Sequence, residues 1–411
     1  MRLGDIADTL RAMVVVVIIG FLVVFALVDS RSAYTGAAGP QLGLLPLVAS
    51  FGVLLLAASA LLLTLADRSI KLGLFHLSVL LFVLVYWLAV VYNNGFMAGA
   101  VAVMVAAVLM AFSVQGAGRP LYLVAAKWAL RVVVFGSLLA GVFFPDWALV
   151  PFGVSDRSLF GFSTRLVGLA TSPNYLGLAA ATLLIVELTS ASKARRLLSA
   201  AGLGVVASLA VAAYVMLWAQ SRGVIIAAFV AALSLLLSRL LGQSNWAYVA
   251  SSWLAVGSSA LVVFWIPGDV FLNDSLDDSS SGRVDIWASV LSSWDQYRLF
   301  GVSQNSATLI QYGAGNAHNG LLELLVTGGM PLLSAALVLF ISSSVIILRA
   351  GSAGALAGVV LVFVSWQFLF GTPLRLTSLN WNLLVVILLV GACSRASFTQ
   401  LVSSRAVSTS C

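Results

Sequence analysis

The sequence predicts an all-α protein, a polytopic transmembrane bundle of about 12 helices, and three observations support this fold class. Of its 411 residues, 61% are hydrophobic and only 9% are charged, and the mean hydropathy is +1.09. In a soluble domain about a quarter of the residues are charged, so lipid must cover much of this surface. The apolar runs are also continuous, as in 54–65 and 101–111, whereas barrel strands alternate. Helices remain, because each satisfies its own backbone hydrogen bonds in hydrocarbon.

Apolar stretches of about 20 residues, long enough to cross a bilayer as a helix, recur along the whole chain. We place spans near 13–29, 41–65, 72–92, 96–114, 122–144, 166–189, 198–219, 223–241, 245–266, 319–347, 353–370 and 380–394. With a cytoplasmic N-terminus, most of the 21 Lys and Arg residues lie on the cytoplasmic side, as the positive-inside rule requires. This predicts a single multi-pass inner-membrane domain, residues 1–411, with both termini cytoplasmic.

Several other classes of function receive no support. The net charge of +7 follows from the cytoplasmic bias of Lys and Arg, so no nucleic-acid partner is predicted. Cys393 and Cys411 indicate neither a disulfide framework nor thiol chemistry. The sequence has no phosphate-binding loop for ATP hydrolysis and no His or Cys pair with metal-ligand spacing. We therefore predict no cofactor and no metal.

One predicted external loop, 267–318, is far longer than most other connections, and such loops are usually functional or disordered. Ile286, Trp287 and Leu291 recur in it at helix-like spacing. We expect a short amphipathic helix near 283–296 lying on the membrane surface. Every positive charge on the external side is an arginine, and the planar guanidinium matches phosphate oxygens.

Two of these external arginines occupy unusual positions. Arg222 lies directly between two long apolar spans, where it either marks a helix end by reaching the interface or faces a buried anion. Arg283 opens the predicted external helix, and a helix N-terminus favours anions. The alternative for this segment is a solvated cap, with Trp287 at the lipid interface.

His318 lies where the long loop re-enters the membrane, beside Asn319 and a little over one helical turn before Glu323. An imidazole near neutral pH can accept the proton of a sugar hydroxyl, which general-base catalysis at an acceptor requires. Glu323 either orients His318 or bonds to a neighbouring helix.

Arg165 and Asn174 lie at the outer end of the span 166–189, where Pro173 is expected to kink the helix. Their polar groups are candidates for substrate binding. Hydrogen bonding between helices is the commoner role for such groups and is the alternative here.

Taken in order, these segments resemble the O-antigen ligase and O-antigen polymerase family of bacterial membrane proteins. The resemblance covers mainly residues 160–335, the predicted catalytic region. It is carried by Arg165 to Asn174, Ser221-Arg222-Gly223, Gly282-Arg283 with Trp287, Leu299-Phe300-Gly301-Val302, and His318-Asn319 with Gly328-Gly329.

The resemblance implies a metal-independent glycosyltransferase that takes a glycan from undecaprenyl pyrophosphate. The glycan is joined, on the periplasmic face, to a glycan or lipid acceptor, either a growing polysaccharide or the lipid A core. By the same resemblance Arg222 and Arg283 hold the pyrophosphate, and His318 activates the acceptor hydroxyl. The further candidates for substrate binding are Arg165, Asn174, Asn319, Glu323 and Trp287.

Two other functions stay open at this point. A transporter or flippase for a lipid-linked sugar or small anion normally has ionisable residues near mid-membrane, whereas the candidates here cluster at the external mouth. A structural scaffold of an assembly complex leaves the arginines unexplained. Ligase, polymerase and exopolysaccharide-production members share these motifs, so the sequence determines neither the sugar, the acceptor nor the oligomeric state.

Overall fold

The computed structural model describes thirteen stretches of the chain, residues 6–7, 9–14, 16–17, 45–66, 73–94, 98–113, 121–151, 161–170, 172–191, 200–242, 244–264, 283–302 and 319–369. The predicted span 380–394 and most of the span 13–29 lie outside these residues. Most of the long loop 267–318 lies outside them too, and so does His318.

Helices make up most of the described residues, which confirms the helical fold class. The longer ones are α1 (Leu45–Ala66), α2 (Leu74–Asn94), α3 (Ala98–Ser113), α4 (Leu121–Phe143), α5 (Pro173–Ala191), α6 (Ala200–Ala219), α7 (Arg222–Leu240), α8 (Trp246–Phe264), α9 (Arg283–Ser292), α10 (Gly320–Arg349) and α11 (Ala355–Gln367). Short helical turns span Pro145–Ala148, Trp294–Tyr297 and Gly351–Gly354, and the strands are β1 (Leu149–Pro151) and β2 (Thr164–Leu166). The total of about 12 helices stays a prediction.

The surface of the helices is apolar where a soluble protein would be polar. Leu55, Val132 and Phe229 expose 66–69% of their surface, and extended apolar surface of this kind fits lipid rather than water. Among the described helices, five are long and apolar enough to cross a membrane: Leu74–Asn93, Leu123–Phe143, Gly202–Ala219, Arg222–Leu240 and Gly320–Arg349. The protein is therefore a membrane protein.

The predicted span 166–189 is wrong at its start. Residues 164–166 form β2, which pairs antiparallel with β1 so that Arg165 lies opposite Val150. Helix α5 begins only at Pro173, where a proline costs nothing because the first helical N–H has no intrahelical partner. Pro173 thus starts the helix and does not kink it.

The bundle is organised around α11 and α10. Helix α11 packs against α7 and α8, and every residue from Ala357 to Val364 is buried. Helix α10 packs along α2, and α5 packs against α4, α6 and α7. The chain reverses at 241–245, so α8 runs back along α7, and the end of α8 lies at the end of the bundle where α7 begins.

Candidate functional site

Arg165 connects three elements at one end of the bundle. From β2, its Nε donates to the carbonyl oxygen of Ala219 at 3.2 Å, where α6 ends. Its Nη2 donates to Oδ1 of Asn174 at 3.1 Å, in the first turn of α5. Two residues that the sequence singled out are therefore in direct contact. Arg165 lies on a strand, which presents its guanidinium to both helix ends.

Arg222 lies directly after the same turn. Gln220 has a φ of +52°, and Ser221 is extended and precedes Arg222, the first residue of α7. Gln220 and Ser221 are buried, while Arg222 is partly buried. Only Ser221 and Gln220 separate Arg222 from Ala219, the residue that Arg165 contacts. The turn thus joins Ala219, which Arg165 contacts, to Arg222 at the N-terminus of α7, and the free N–H groups and dipole of a helix N-terminus attract anions.

Asn319 is completely buried and caps α10. Its Oδ1 accepts from the backbone N–H groups of Leu321 at 3.0 Å and Leu322 at 3.2 Å. Its Nδ2 donates to Oγ of Ser259, near the end of α8, at 3.0 Å. The N–H of Gly320 donates to the carbonyl of Phe368 at 2.8 Å, just beyond α11.

Arg222 and Asn319 lie at the same end of the bundle. Ser259 lies near the end of α8, which is the end that returns to the start of α7. His318 directly precedes Asn319 in the chain and lies outside the described residues. Glu323, in the first turn of α10, is buried. The predicted contact between His318 and Glu323 therefore stays a prediction.

The expected helix of the long loop is confirmed as α9, residues 283–292. Its apolar face does not lie free on a membrane surface, because Ile286, Trp287 and Val290 form a buried cluster with Leu322 and Leu325 of α10. Trp287 is 9% exposed, so the alternative of an interfacial tryptophan is wrong. Arg283 is the first residue of α9, and its side chain lies outside the described part of the chain.

Tyr297 completes the packing of this segment. Its hydroxyl donates to the carbonyl of Val290, and burial raises the pKa of the phenol. The phenol therefore stays protonated and keeps its role as a donor at neutral pH. This bond joins the turn 294–297 to α9, so the segment 283–302 reaches α10 as one packed unit.

Two glycines allow this segment to cross α10. Helix α10 is broken at Gly328 and Gly329, and Gly329 has a φ of +65°. A Cβ at Gly329 would lie 2.5 Å from the carbonyl oxygen of Leu299, and one at Gly301, φ +73°, would lie 2.5 Å from the backbone of Thr327. Only glycine permits these conformations together with so close an approach. Leu299–Val302 and Gly328–Gly329, two of the segments that carry the family resemblance, are thus in backbone contact.

Sequence reasoning missed an ion cluster in the membrane-spanning part. Glu187 of α5 is completely buried, with its Oε2 2.7 Å from Nζ of Lys127 and its Oε1 2.6 Å from Nη2 of Arg131. The guanidinium of Arg131 also lies 4.8 Å from the ring of Trp128. The sequence did contain a signal for this cluster. One apolar span has two cations four residues apart, and the next span has a single acid that could pair with them.

Comparison with known families gives a match over part of the chain. Residues 207–337 match the family model described as O-antigen ligase. The matched range includes Arg222, Arg283, His318 and Asn319, and it ends within α10. Arg165 and Asn174 precede it. No curated protein matches the chain significantly.

Proposed function

Because the match over residues 207–337 supports assignment of the chain to the O-antigen ligase family, we propose that it transfers a glycan from undecaprenyl pyrophosphate to an acceptor hydroxyl. The acceptor is the lipid A core in a ligase or a growing polysaccharide in a polymerase. The family assignment itself implies a membrane enzyme that transfers glycosyl groups. The donor, the acceptor and the catalytic residues are the parts that we propose.

The observation that carries the proposal is that several of the predicted site residues lie at the same end of the bundle. Arg165 and Arg222 flank a single turn, and Asn319 starts α10 at the same end. Two partly buried arginines, one contacting the residue before this turn and one starting the helix after it, suit the oxygens of a pyrophosphate, because guanidinium groups can donate two parallel hydrogen bonds to them.

In the proposed step, the acceptor oxygen attacks the anomeric carbon of the donor sugar. The bond from that carbon to the pyrophosphate oxygen breaks, and the carrier leaves as undecaprenyl pyrophosphate. His318 accepts the hydroxyl proton. Arg222 and Arg283 stabilise the charge that develops on the leaving group without a metal, and Arg165 with Asn174 completes the phosphate contacts. Asn319, Glu323 and Trp287 support this site by shaping the start of α10 and its contact with α9.

We further propose that this end of the bundle faces the periplasm of an inner-membrane protein with cytoplasmic termini. The positive-inside count supports that orientation. The residues 267–318 then form the external loop, and the donor's lipid lies among the membrane lipids.

A reconstituted assay tests the proposal. Purified protein in vesicles receives an undecaprenyl pyrophosphate-linked oligosaccharide and, separately, lipid A core or free oligosaccharide as acceptor. We expect glycan to appear on one acceptor, together with release of undecaprenyl pyrophosphate. Donor that stays intact with both acceptors would contradict the proposal.

A flippase for a lipid-linked sugar is the second candidate, and the ion cluster at Glu187 favours it, because ionisable residues inside a membrane often mark transport routes. The same vesicles distinguish the two functions. A flippase moves the donor between leaflets and leaves its pyrophosphate linkage intact, whereas a transferase consumes that linkage.

A further inference from the structure

Asn93 lies at the end of α2, in a part of the chain to which the sequence assigns no role. Its Nδ2 donates to the carbonyl oxygen of Phe300 at 3.1 Å and to that of Thr327 at 3.2 Å. The ring of the preceding Tyr92 lies 5.6 Å from the ring of Phe300. The end of α2 therefore contacts both the segment 298–302 and the break in α10.

The break in α10 explains why the carbonyl of Thr327 can accept from a side chain of another helix. In a regular helix the carbonyl of Thr327 would accept from residue 331, but Pro331 has no N–H. The carbonyl of Val326 accepts instead from Val302 at 2.9 Å, and the N–H of Met330 donates to Arg298 at 2.9 Å. Asn93 supplies the donor that Pro331 lacks.

This amide also determines how two parts of the proposed site lie relative to each other. The segment 298–302 continues from α9, which begins at Arg283. The first half of α10, before Gly328, begins at Asn319, directly after His318. Asn93 holds both to α2 at the point where they cross.

We propose that Asn93 is a positioning residue for glycan transfer, because its side-chain amide sets the α9 segment against the broken α10. This inference rests on the proposed function. Arg222 lies on α7 and does not depend on this contact, so loss of the amide leaves donor binding by Arg222 in place. What is lost is the alignment of the α9 segment, which begins at Arg283, with the start of α10. Because Arg283 is proposed to stabilise charge that develops only as the leaving group departs, misalignment acts chiefly on kcat.

The test compares Asn93→Asp with Asn245→Asp. Asn245 has the same arrangement at the other end of α10, where its Nδ2 donates to the carbonyls of Ile347 at 2.6 Å and Gly351 at 2.7 Å. Either substitution replaces an amide donor by a carboxylate of the same shape. We expect Asn93→Asp to lower kcat about 10-fold or more with a donor KM within about 3-fold. Asn245→Asp should lower the thermal midpoint at least as much while kcat stays within about 2-fold.

The variant Asn93→Gln keeps the amide and should recover part of kcat. Hydrogen exchange at Val302 and Met330, whose N–H groups bond across the crossing, should accelerate in Asn93→Asp and not in Asn245→Asp. An unchanged kcat in Asn93→Asp, an equal kcat loss in Asn245→Asp, or unchanged exchange would each overturn the proposal. If the wild-type protein transfers no glycan, the proposed function fails, and the exchange result alone decides whether Asn93 holds the crossing.

Discussion

Arg131 and Arg165 are both partly buried arginines of the helical bundle, but the groups that they contact differ. Arg131 meets a completely buried carboxylate at 2.6 Å, so its charge has an anionic partner and α4 is joined to α5. Arg165 donates to an amide oxygen and a backbone carbonyl, which are uncharged acceptors that orient the guanidinium. The comparison teaches that arginines of this bundle are held in two ways, by a buried carboxylate in one region and by neutral acceptors at helix ends in the other.

The two positions are also well separated. Helix α5 contributes Asn174 at its start and Glu187 near its other end. The 14 steps along the helix from Pro173 to Glu187 correspond to about 21 Å. One helix therefore carries a neutral partner of an arginine at the site end and a charged partner deeper in the bundle.

Removing an arginine from the end of the bundle that holds the candidate site should have the largest effect on glycan transfer. We expect Arg222→Ala to lower the rate of glycan transfer about 100- to 1000-fold, because it removes a charge that stabilises the leaving pyrophosphate. The matched control is Arg239→Ala, which removes an exposed arginine in the last turn of the same helix. Steady-state transfer assays on both purified variants make the measurement. Equal losses in both would mean that the charge of α7, and not its position, matters.

Breaking the ion cluster should affect stability rather than chemistry. Glu187→Gln leaves Lys127 and Arg131 without their carboxylate, and losing one partner of a buried pair costs about 3 kcal/mol. Thermal unfolding in detergent should show a lower midpoint. Removing a cation together with the acid, as in Lys127→Gln with Glu187→Gln, should cost less. A loss of transfer rate per folded molecule would instead tie the cluster to function and favour the flippase.

The crossing of α10 should tolerate no side chain. Gly329→Ala places a methyl group 2.5 Å from a carbonyl oxygen at a φ of +65°, so we expect about 2 kcal/mol of lost stability and a lower transfer rate. Gly351→Ala is the control beyond the other end of α10, with a φ of +55° and nothing within 4 Å of the added Cβ. It carries the backbone strain without the clash. Similar midpoints for the two variants would show that the close approach is unimportant.

The comparison of Arg131 with Arg165 can be sharpened by replacing Asn174, a neutral partner of Arg165, with a charged residue. Asn174→Asp makes its contact resemble that of Arg131 with Glu187, so transfer should fall about 10-fold while the thermal midpoint holds or rises. Asn174→Ala removes one hydrogen bond and should cost only a few-fold. An Asp variant as active as wild type would show that the charge of Arg165 is not used.

The sequence predicted the membrane-spanning helices well where one apolar run corresponds to one helix. Helices α7 and α8 end within a few residues of the spans predicted at 223–241 and 245–266. It failed at 166–189, because an apolar strand residue such as Leu166 and an apolar helix residue look alike in hydropathy. The family resemblance, drawn from ordered motifs, is confirmed by the match over residues 207–337.

Composition and the order of the motifs were enough by themselves to predict that lipid surrounds this protein, that it is helical and which family it resembles, because these depend on local apolar runs and short linear patterns. The tertiary structure decided which polar groups meet. Arg165 with Ala219, Glu187 with two cations, and Asn93 with Thr327 join residues 54, 56, 60 and 234 positions apart. Such contacts arise from the packing of whole helices, so no local pattern in the chain encodes them.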